Sequence, residues 1–232
     1  MTIVTINGQA GSAVLEIGAE VARGLGFDYV DRLILAEAAR RLGATVEAVA
    51  DKERRPLSLG ERLARFMQTL LERSAAAGAG ADPYFGPGIG VLLGQEYPEV
   101  AREPITSSDQ LMDDRFIEAT KSVILELSND GNVVIIGRAS NLILRNIPQA
   151  FHVGVVSETA SRVETIAEWE MRSPDEARQI VRDHERAREA FFRKFFQASV
   201  DDPNHYHLML NTHRMGSDAA AAIIVNAVNS LS

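Results

Sequence analysis

The first seventeen residues constrain the fold of this chain more than any other stretch. Thr2 to Ile6 is a run rich in β-branched residues, two glycines interrupt it at Gly8 and Gly11, and apolar residues with helical spacing resume at Val14. This order predicts a strand, a tight loop and a helix. Glycines let a backbone fold around an anion, and a helix N-terminus adds about half a positive charge. The segment therefore predicts a phosphate-binding loop made of Gly8, Gln9, Ala10, Gly11, Ser12 and Ala13.

The loop departs from the P-loop pattern G-x-x-x-x-G-K-[ST]. Aligned from Gly8 without a gap, Ala13 takes the second glycine position, Val14 the lysine position and Leu15 the hydroxyl position. A charge-assisted hydrogen bond of the kind that lysine makes contributes roughly 1.5–3 kcal/mol. A phosphate bound here would need its positive charge from elsewhere in the chain, and an ordinary strand-to-helix turn is the alternative interpretation.

Length and composition set the broad class. The 232 residues are 46% hydrophobic, which suits one globular domain spanning 1–232. The longest apolar runs, such as Val133 to Ile136 and Ala219 to Val225, are far shorter than the ~20 residues of a membrane span, so we expect no membrane partner. The absence of cysteine excludes disulfides, thiol catalysis and cysteine metal sites, and it favours a cytoplasmic protein.

Charge is unevenly distributed along the chain. A net charge of -8 argues against binding nucleic acid, which needs a basic face. However, seven of the 24 basic residues lie between Arg172 and Lys194. A local cluster of basic residues in an acidic protein suits a small anionic, nucleotide-like ligand. The alternative is a solvated ion-pair face, because acidic residues lie three positions away, as in Asp175 with Arg178 and Arg182 with Glu185.

Strand and helix patterns alternate about five times. Further strands are predicted at Phe27 to Val30, Val133 to Ile136, Ala150 to Val156 and His205 to Leu210. Helices are predicted at Leu33 to Leu42, from a capping box at Ser107 and Gln110 to Ser128, at Thr159 to Glu170, from Ser173-Pro174-Asp175-Glu176 to Phe196, and at Gly216 to Leu231. The alternation predicts an α/β fold in three layers, with a five-stranded parallel sheet and helices on both faces.

Polar residues at the ends of two strands are candidate ligand contacts, because open parallel sheets bind ligands beyond the carboxyl ends of their strands. Asp31 follows the second strand, and a helix N-cap is its alternative role. Arg138 and Asn141 follow the buried run Val133 to Ile136, where an arginine suits a ligand phosphate better than packing. The phenylalanines at 191–196 are interpreted as core residues that pack, and not as residues that stack on a base. His205 and His207 are predicted to share one face of the last strand, but no third ligand is apparent, so no metal site is predicted.

Residues 50–105 differ in character from the rest. Leu57 to Leu71 can form an amphipathic helix, and Ala75 to Gly94 is rich in Gly, Ala and Pro. We interpret this region as an insertion that covers the ligand or contacts a second subunit. The second role is favoured, because so apolar a helix needs a surface to pack on. We therefore expect a homo-oligomer formed through 50–105.

Several short motifs together resemble the cytidylate kinase-like family, relatives of bacterial cytidylate kinase among the P-loop nucleoside monophosphate kinases. The likeness covers most of the chain outside roughly 50–105. Its carriers are Gly11-Ser12, Glu16-Ile17-Gly18, Phe27 to Arg32, Val133 to Arg138, the Asp183-x-x-Arg186 spacing and Tyr206 to Thr212.

The resemblance implies a P-loop NTPase-like fold, ATP and Mg²⁺ as cofactors, and phosphoryl transfer to a nucleoside monophosphate. It implies that Gly8 to Ala13 cradle the donor phosphates and that Arg138 holds the acceptor monophosphate. It also implies that Asp183 and Arg186 approach the acceptor from a lid-like helix at about 173–197, with Arg182 a further candidate contact. The pyrimidine-selecting element of true cytidylate kinases is absent after Asp31, so cytidine specificity does not carry over.

Two hypotheses remain. In the first, the protein is an ATP-dependent nucleotide kinase whose lid arginines replace the missing lysine. In the second, it is a catalytically impaired protein of kinase fold that binds a nucleotide or another phosphorylated ligand, either as a monomer or as an oligomer. The first is favoured because Arg138, Asp183 and Arg186 are all present.

Overall fold

The computed structural model describes residues 2–31, 107–129 and 131–231. The predicted helices at Leu33 to Leu42 and Leu57 to Leu71 lie outside the described residues, as does the proposed insertion at 50–105. The expected subunit contact therefore lies outside them too.

The described strands form one parallel sheet. They are β1 (Ile3–Gly8), β2 (Asp28–Val30), β3 (Val133–Ile136), β4 (Ala150–Val156) and β5 (Leu208–Asn211). Their spatial order is β2-β3-β1-β4-β5, and each neighbouring pair is parallel. The chain leaves β1 toward β2 on one side and leaves β4 toward β5 on the other. Such a reversal opens a crevice at the carboxyl ends of the strands.

The helices begin and end where local signals place them. They are α1 (Val14–Leu25), α2 (Ser107–Asn129), α3 (Ser140–Ile143), α4 (Thr159–Trp169), α5 (Pro174–Phe196), α6 (Thr212–Met215) and α7 (Ser217–Leu231). Helix α1 ends at Gly26, whose φ of +67° suits glycine. Helix α5 begins at the predicted capping box, in which Ser173 and Glu176 bond each other's backbone N–H groups. Among the described helices, none combines the length and the apolar character that a membrane crossing requires.

Helices cover both faces of the sheet, which confirms the predicted three-layer α/β fold. On one face, Ile6 and Val134 pack with α1 and α7. On the other, Ile3 and Ile135 pack with α2 and with the end of α5. The phenylalanines of α5 belong to this second core, where Phe191 meets Phe116 edge-on at 6.1 Å between ring centroids. The phenylalanines of α5 are therefore core residues, as predicted.

Helices α4 and α5 form an antiparallel hairpin with a small core of its own. Val163 and Ile166 of α4 pack against Ala177 and Val181 of α5. The first half of α5 thus belongs to the hairpin and its second half to the main core.

The region before β5 differs from the predicted strand over 205–210. His205 ends a 3₁₀ turn (Pro203–His205), and the strand begins only at Leu208. Pro203 cannot donate a backbone hydrogen bond, and the Asp202 side chain caps the turn by accepting from the Asn204 N–H. The predicted sharing of one strand face by His205 and His207 is therefore wrong. The C-terminal helix also begins later than predicted, at Ser217, because Gly216 with a φ of +78° separates it from α6.

A histidine lies inside the sheet. His152 on β4 is 5% exposed, its Nδ1 lies 2.9 Å from the Thr5 hydroxyl, and its backbone N–H donates to Nδ1 of His207 at 2.9 Å. Burial, helped by the nearby His207, lowers the pKa of His152 from 6.5 to about 4. His152 is therefore neutral in the fold at neutral pH.

This depressed pKa predicts a loss of stability in mild acid. Between about pH 6.5 and 4 the unfolded chain binds a proton on His152 that the folded chain does not, so acid favours unfolding. We expect the free energy of unfolding to be lower at pH 5 than at pH 7.5 by about 2 kcal/mol from this group alone. Urea unfolding of the wild type and of His152→Gln at both pH values measures it. An unchanged pH dependence in the variant would contradict the assignment.

Candidate functional site

A cavity of about 320 Å³ opens at the carboxyl ends of β1 and β3, beneath the α4–α5 hairpin. Its wall combines the loop after β1, the start of α1, the end of β3 and one side of the hairpin. The described lining residues are Gly8, Gln9, Ala10, Gly11, Ala13, Val14, Leu15, Asp31, Ile136, Gly137, Arg138, Arg162, Ile166, Trp169, Glu170, Ile180, His184, Glu185 and Arg188. The cavity therefore lies in the crevice that the strand order creates.

The loop after β1 is compact and lies against α4. Both the backbone N–H and the hydroxyl of Ser12 donate to the carbonyl oxygen of Gln9, at 3.1 and 2.6 Å. Ser12 is thus buried and closes the turn rather than facing the cavity. Gly11 has a φ of +78°, and a Cβ there would lie 2.6 Å from the Arg162 carbonyl oxygen. Only glycine satisfies both constraints.

Gln9 holds the loop to the strands beside it. Its backbone N–H donates to the Val155 carbonyl oxygen at 3.3 Å, and its side-chain oxygen accepts from the Ser157 N–H at 3.0 Å. Its side-chain nitrogen donates to Asp201 at 3.4 Å. Because both polar atoms of the Gln9 side chain are hydrogen-bonded, Gln9 fixes the position of the loop relative to β4.

The first residues of α1, Val14 and Leu15, line the same cavity. The first helical hydrogen bond runs from the Ile17 N–H to the Ala13 carbonyl oxygen, so the amides of Val14 and Leu15 have no acceptor within the helix. Such amides and the helix dipole favour an anion. The Val14 side chain lies at the cavity wall and brings no charge, so the cation that the P-loop pattern provides is missing.

Arg138 enters the cavity from the end of β3. It is 3% exposed, and its guanidinium lies over the Phe116 ring at 5.7 Å from the centroid. Gly137, Arg138 and Ala139 all have positive φ, at 73°, 54° and 52°. The left-handed region costs a non-glycine residue about 1–2 kcal/mol, and such strain concentrates at functional sites. The fold therefore maintains a costly backbone that directs this arginine into the site.

Two more buried arginines come from the hairpin. Arg162 of α4 is 2% exposed, and its Nη2 donates to Glu185 at 3.1 Å and to the Thr159 hydroxyl at 3.2 Å. Its Nε has no hydrogen-bond partner among the described residues. Arg188 of α5 is 4% exposed, and its Nη2 donates to Asp201 at 3.0 Å.

Asp201 connects the hairpin to the loop. One of its oxygens accepts from Arg188 and the other from Gln9. The carboxylate thereby fixes the distance between an α5 guanidinium and the loop that precedes α1.

The structure brings together only some of the predicted site residues. Asp31 and Arg138 line the cavity with the loop residues other than Ser12. Asn141 lies in the interior, where it accepts from the Asn7 side chain at 3.1 Å and donates to the His205 carbonyl oxygen at 3.4 Å. It is not among the lining residues.

The predicted residues of the lid-like helix lie on its other side. All three are exposed: Arg182, Asp183 and Arg186. Arg182 donates to the side-chain oxygen of Gln179 at 2.7 Å, and the side-chain nitrogen of Gln179 donates to Asp183 at 2.8 Å. The predicted pair of Asp175 with Arg178 forms, at 2.5 Å. In contrast, Glu185 accepts from Arg162 rather than from Arg182. The cause is the register of α5, which turns Ile180, His184 and Arg188 toward the cavity.

Sequence reasoning missed Arg162 and did not single out Arg188. The only available signal was spacing, because Ile180, His184 and Arg188 recur every four residues and so share one helix face. Nothing local to α4 marked Arg162, which lies in an ordinary helical pattern.

The described residues offer little for a magnesium ion on their own. Leu15 stands where the P-loop pattern has its metal-binding hydroxyl, and no group of three or more potential metal ligands occurs within residues 2–31, 107–129 and 131–231. Mg²⁺ commonly binds one or two carboxylates together with substrate phosphates and water. Asp31 and Glu185 are lining carboxylates that could complete such a set.

The chain was compared with curated proteins, solved structures and protein families. No curated protein matches the chain. Among solved structures, an uncharacterized protein from Eubacterium ventriosum has a TM-score of 0.62 at 12% identity over 99% of both chains. TT1252 from Thermus thermophilus has a TM-score of 0.49 at 17% identity, over 99% of this chain and 96% of that one. A shikimate kinase from Acinetobacter baumannii, in complex with shikimate, has a TM-score of 0.48 at 12% identity, over 100% and 95%.

The sequence profile of the cytidylate kinase-like family matches residues 3–214. The match spans β1, the loop, both arginine-bearing helices and β5. The chain belongs to the cytidylate kinase-like family.

Proposed function

We propose that the protein is an ATP-dependent kinase that transfers the γ-phosphoryl group to a nucleoside monophosphate or a related small phosphorylated acceptor. The observation that carries the proposal is the convergence of three buried arginines on a cavity whose floor is a glycine loop and a helix N-terminus. A guanidinium binds phosphate oxygens well because it donates several N–H groups in one plane, so a cleft that gathers three arginines suits a highly charged anionic ligand.

Phosphoryl transfer depends mainly on alignment and charge neutralisation, and this arrangement supplies both. The amides of the loop and of Val14 and Leu15 would hold the donor phosphates. An ionised oxygen of the acceptor monophosphate would attack the γ-phosphorus in line, while the bond to the β–γ bridging oxygen breaks and ADP leaves. No general base is needed, because a phosphate monoester is already ionised at neutral pH. Arg138, at the end of β3, would hold the acceptor.

The hairpin arginines would replace the absent lysine. The backbone of Arg162 lies against the loop at Gly11, and its side chain lines the cavity. Arg188 lines the cavity as well and is tied to the loop through Asp201 and Gln9. Both arginines are therefore held near the loop, where the β- and γ-phosphates would lie. Mg²⁺, when bound with the nucleotide, would neutralise the donor oxygens and be held largely by the phosphates themselves.

A second function is favoured by one observation. Val14 packs on Gly8 so closely that a Cβ on the glycine would lie 2.7 Å from the Val14 Cβ, which leaves the lysine position filled with apolar atoms. A protein with this loop could bind a nucleotide or another phosphorylated ligand without transferring a phosphoryl group.

A coupled assay of ADP release separates the two functions. The wild type, with MgATP and each of CMP, UMP, AMP and GMP in turn, should release ADP faster with at least one acceptor than without any. Arg138→Ala, purified in parallel, controls for contaminating kinases. Measurable ATP binding with no turnover for any acceptor would leave only the binding function, and absence of both would refute the kinase function and the binding of ATP.

A further inference from the structure

The cavity has an arginine-bearing end, which Glu185 also lines, and a largely apolar end, where Glu170 is a lining residue next to Trp169. On α4, Arg162, Ile166 and Trp169 are spaced four and three residues apart, so they lie on one face, and all three line the cavity. At 1.5 Å per residue, Trp169 lies about 10 Å along the axis from Arg162. Because α5 runs antiparallel and Glu185 bonds Arg162, Arg188 lies nearly one helical turn beyond Arg162, and Ile180 lies near the level of Ile166.

Trp169 is unusual in its environment. It is the only tryptophan in the chain and is 53% exposed, yet it borders a cavity whose opposite end is charged. Met171, two residues on at the tip of the hairpin, is 92% exposed and is not among the lining residues. Trp169 therefore has apolar neighbours in the cavity wall, and the arginines that could bind phosphate lie one to two helical turns away from it.

From this juxtaposition we infer that Trp169, flanked by Ile166 and Ile180, is the platform on which the base of the bound nucleotide stacks. The inference rests on the proposed function, since the arginine end fixes the phosphates and so directs the base along the hairpin. Stacking on an aromatic ring accepts any base, because every base has a π-face. The site should therefore bind nucleotides with weak preference among bases.

The test compares ligands with and without a base. Calorimetric titrations with ATP and CMP, and with inorganic tripolyphosphate and ribose 5-phosphate as their base-free counterparts, are made on the wild type, Trp169→Ala, Trp169→Phe and Met171→Ala. We expect Trp169→Ala to weaken binding of at least one nucleotide by about tenfold, with its base-free counterpart changed less than twofold. Trp169→Phe should retain most of the affinity, and Met171→Ala should match the wild type. Which nucleotide loses affinity shows whether the donor or the acceptor base stacks there.

Fluorescence provides an independent readout, because all tryptophan emission comes from Trp169. Nucleotide should change the emission and the base-free counterparts should not. Equal weakening of nucleotide and base-free ligand in Trp169→Ala, or no weakening at all, would overturn the inference while leaving the anion site in place. Failure of the wild type to bind any of the four ligands would instead overturn the proposed function, and the inference with it.

Discussion

Arg138→Ala is expected to lower kcat/KM for phosphoryl transfer by at least tenfold and by up to about a hundredfold. The guanidinium is buried at the end of β3, lies over Phe116 and lines the cavity. Removing a charged hydrogen-bond donor to a phosphate costs roughly 1.5–3 kcal/mol, which corresponds to this range. If the protein binds its ligand without transferring a phosphoryl group, Arg138→Ala should raise Kd by the same factor.

The matched control is Arg145→Ala, an exposed arginine seven residues further on that is not among the lining residues. It should leave kcat/KM within about twofold, as surface substitutions generally do. Thermal unfolding of both variants shows whether Arg138→Ala still folds. A folded Arg138→Ala protein with an unchanged kcat/KM would remove this residue from the site.

Arg188→Met is expected to reduce kcat/KM by about tenfold or more, and Arg186→Met by much less. Residues two apart on an α-helix point about 200° apart, so the register that turns Arg188 inward turns Arg186 to solvent. Methionine keeps the length of the side chain, so the comparison isolates the charge. The family resemblance alone gives the opposite expectation, with Arg186 as the important residue.

Arg193→Met, an exposed arginine later on α5, is the neutral control for this comparison. Asp201→Asn tests how Arg188 is held, because Asp201 joins that guanidinium to Gln9. Positioning through Asp201 predicts a lower kcat with little change in the melting temperature. A large loss in Arg186→Met with none in Arg188→Met would show that the hairpin presents its other face to the ligand.

The features predicted correctly from sequence are those fixed by local interactions. The glycine loop, the buried run of β3 and the capping box of Ser173 each contain the residues that determine their own conformation, so their patterns predict the structure directly. The parallel α/β architecture then follows from the order of the elements.

The arrangement of the hairpin could not be predicted in the same way. Which arginines of α5 face the cavity depends on how Ala177 and Val181 pack against α4, and that is a tertiary choice with no local signal. The strand predicted over 205–210 begins only at Leu208, because Pro203 and Asp202 stabilise a 3₁₀ turn before it. Arg162 was missed because its burial arises only when the hairpin closes over the loop.

A crystal structure of the protein with bound ATP tests the central claim most directly. The β- and γ-phosphates should lie within about 3 Å of backbone amides between Gly11 and Leu15 and of at least one guanidinium among Arg138, Arg162 and Arg188. Phosphates bound elsewhere on the protein, with those amides facing the chain's own side chains, would contradict the account.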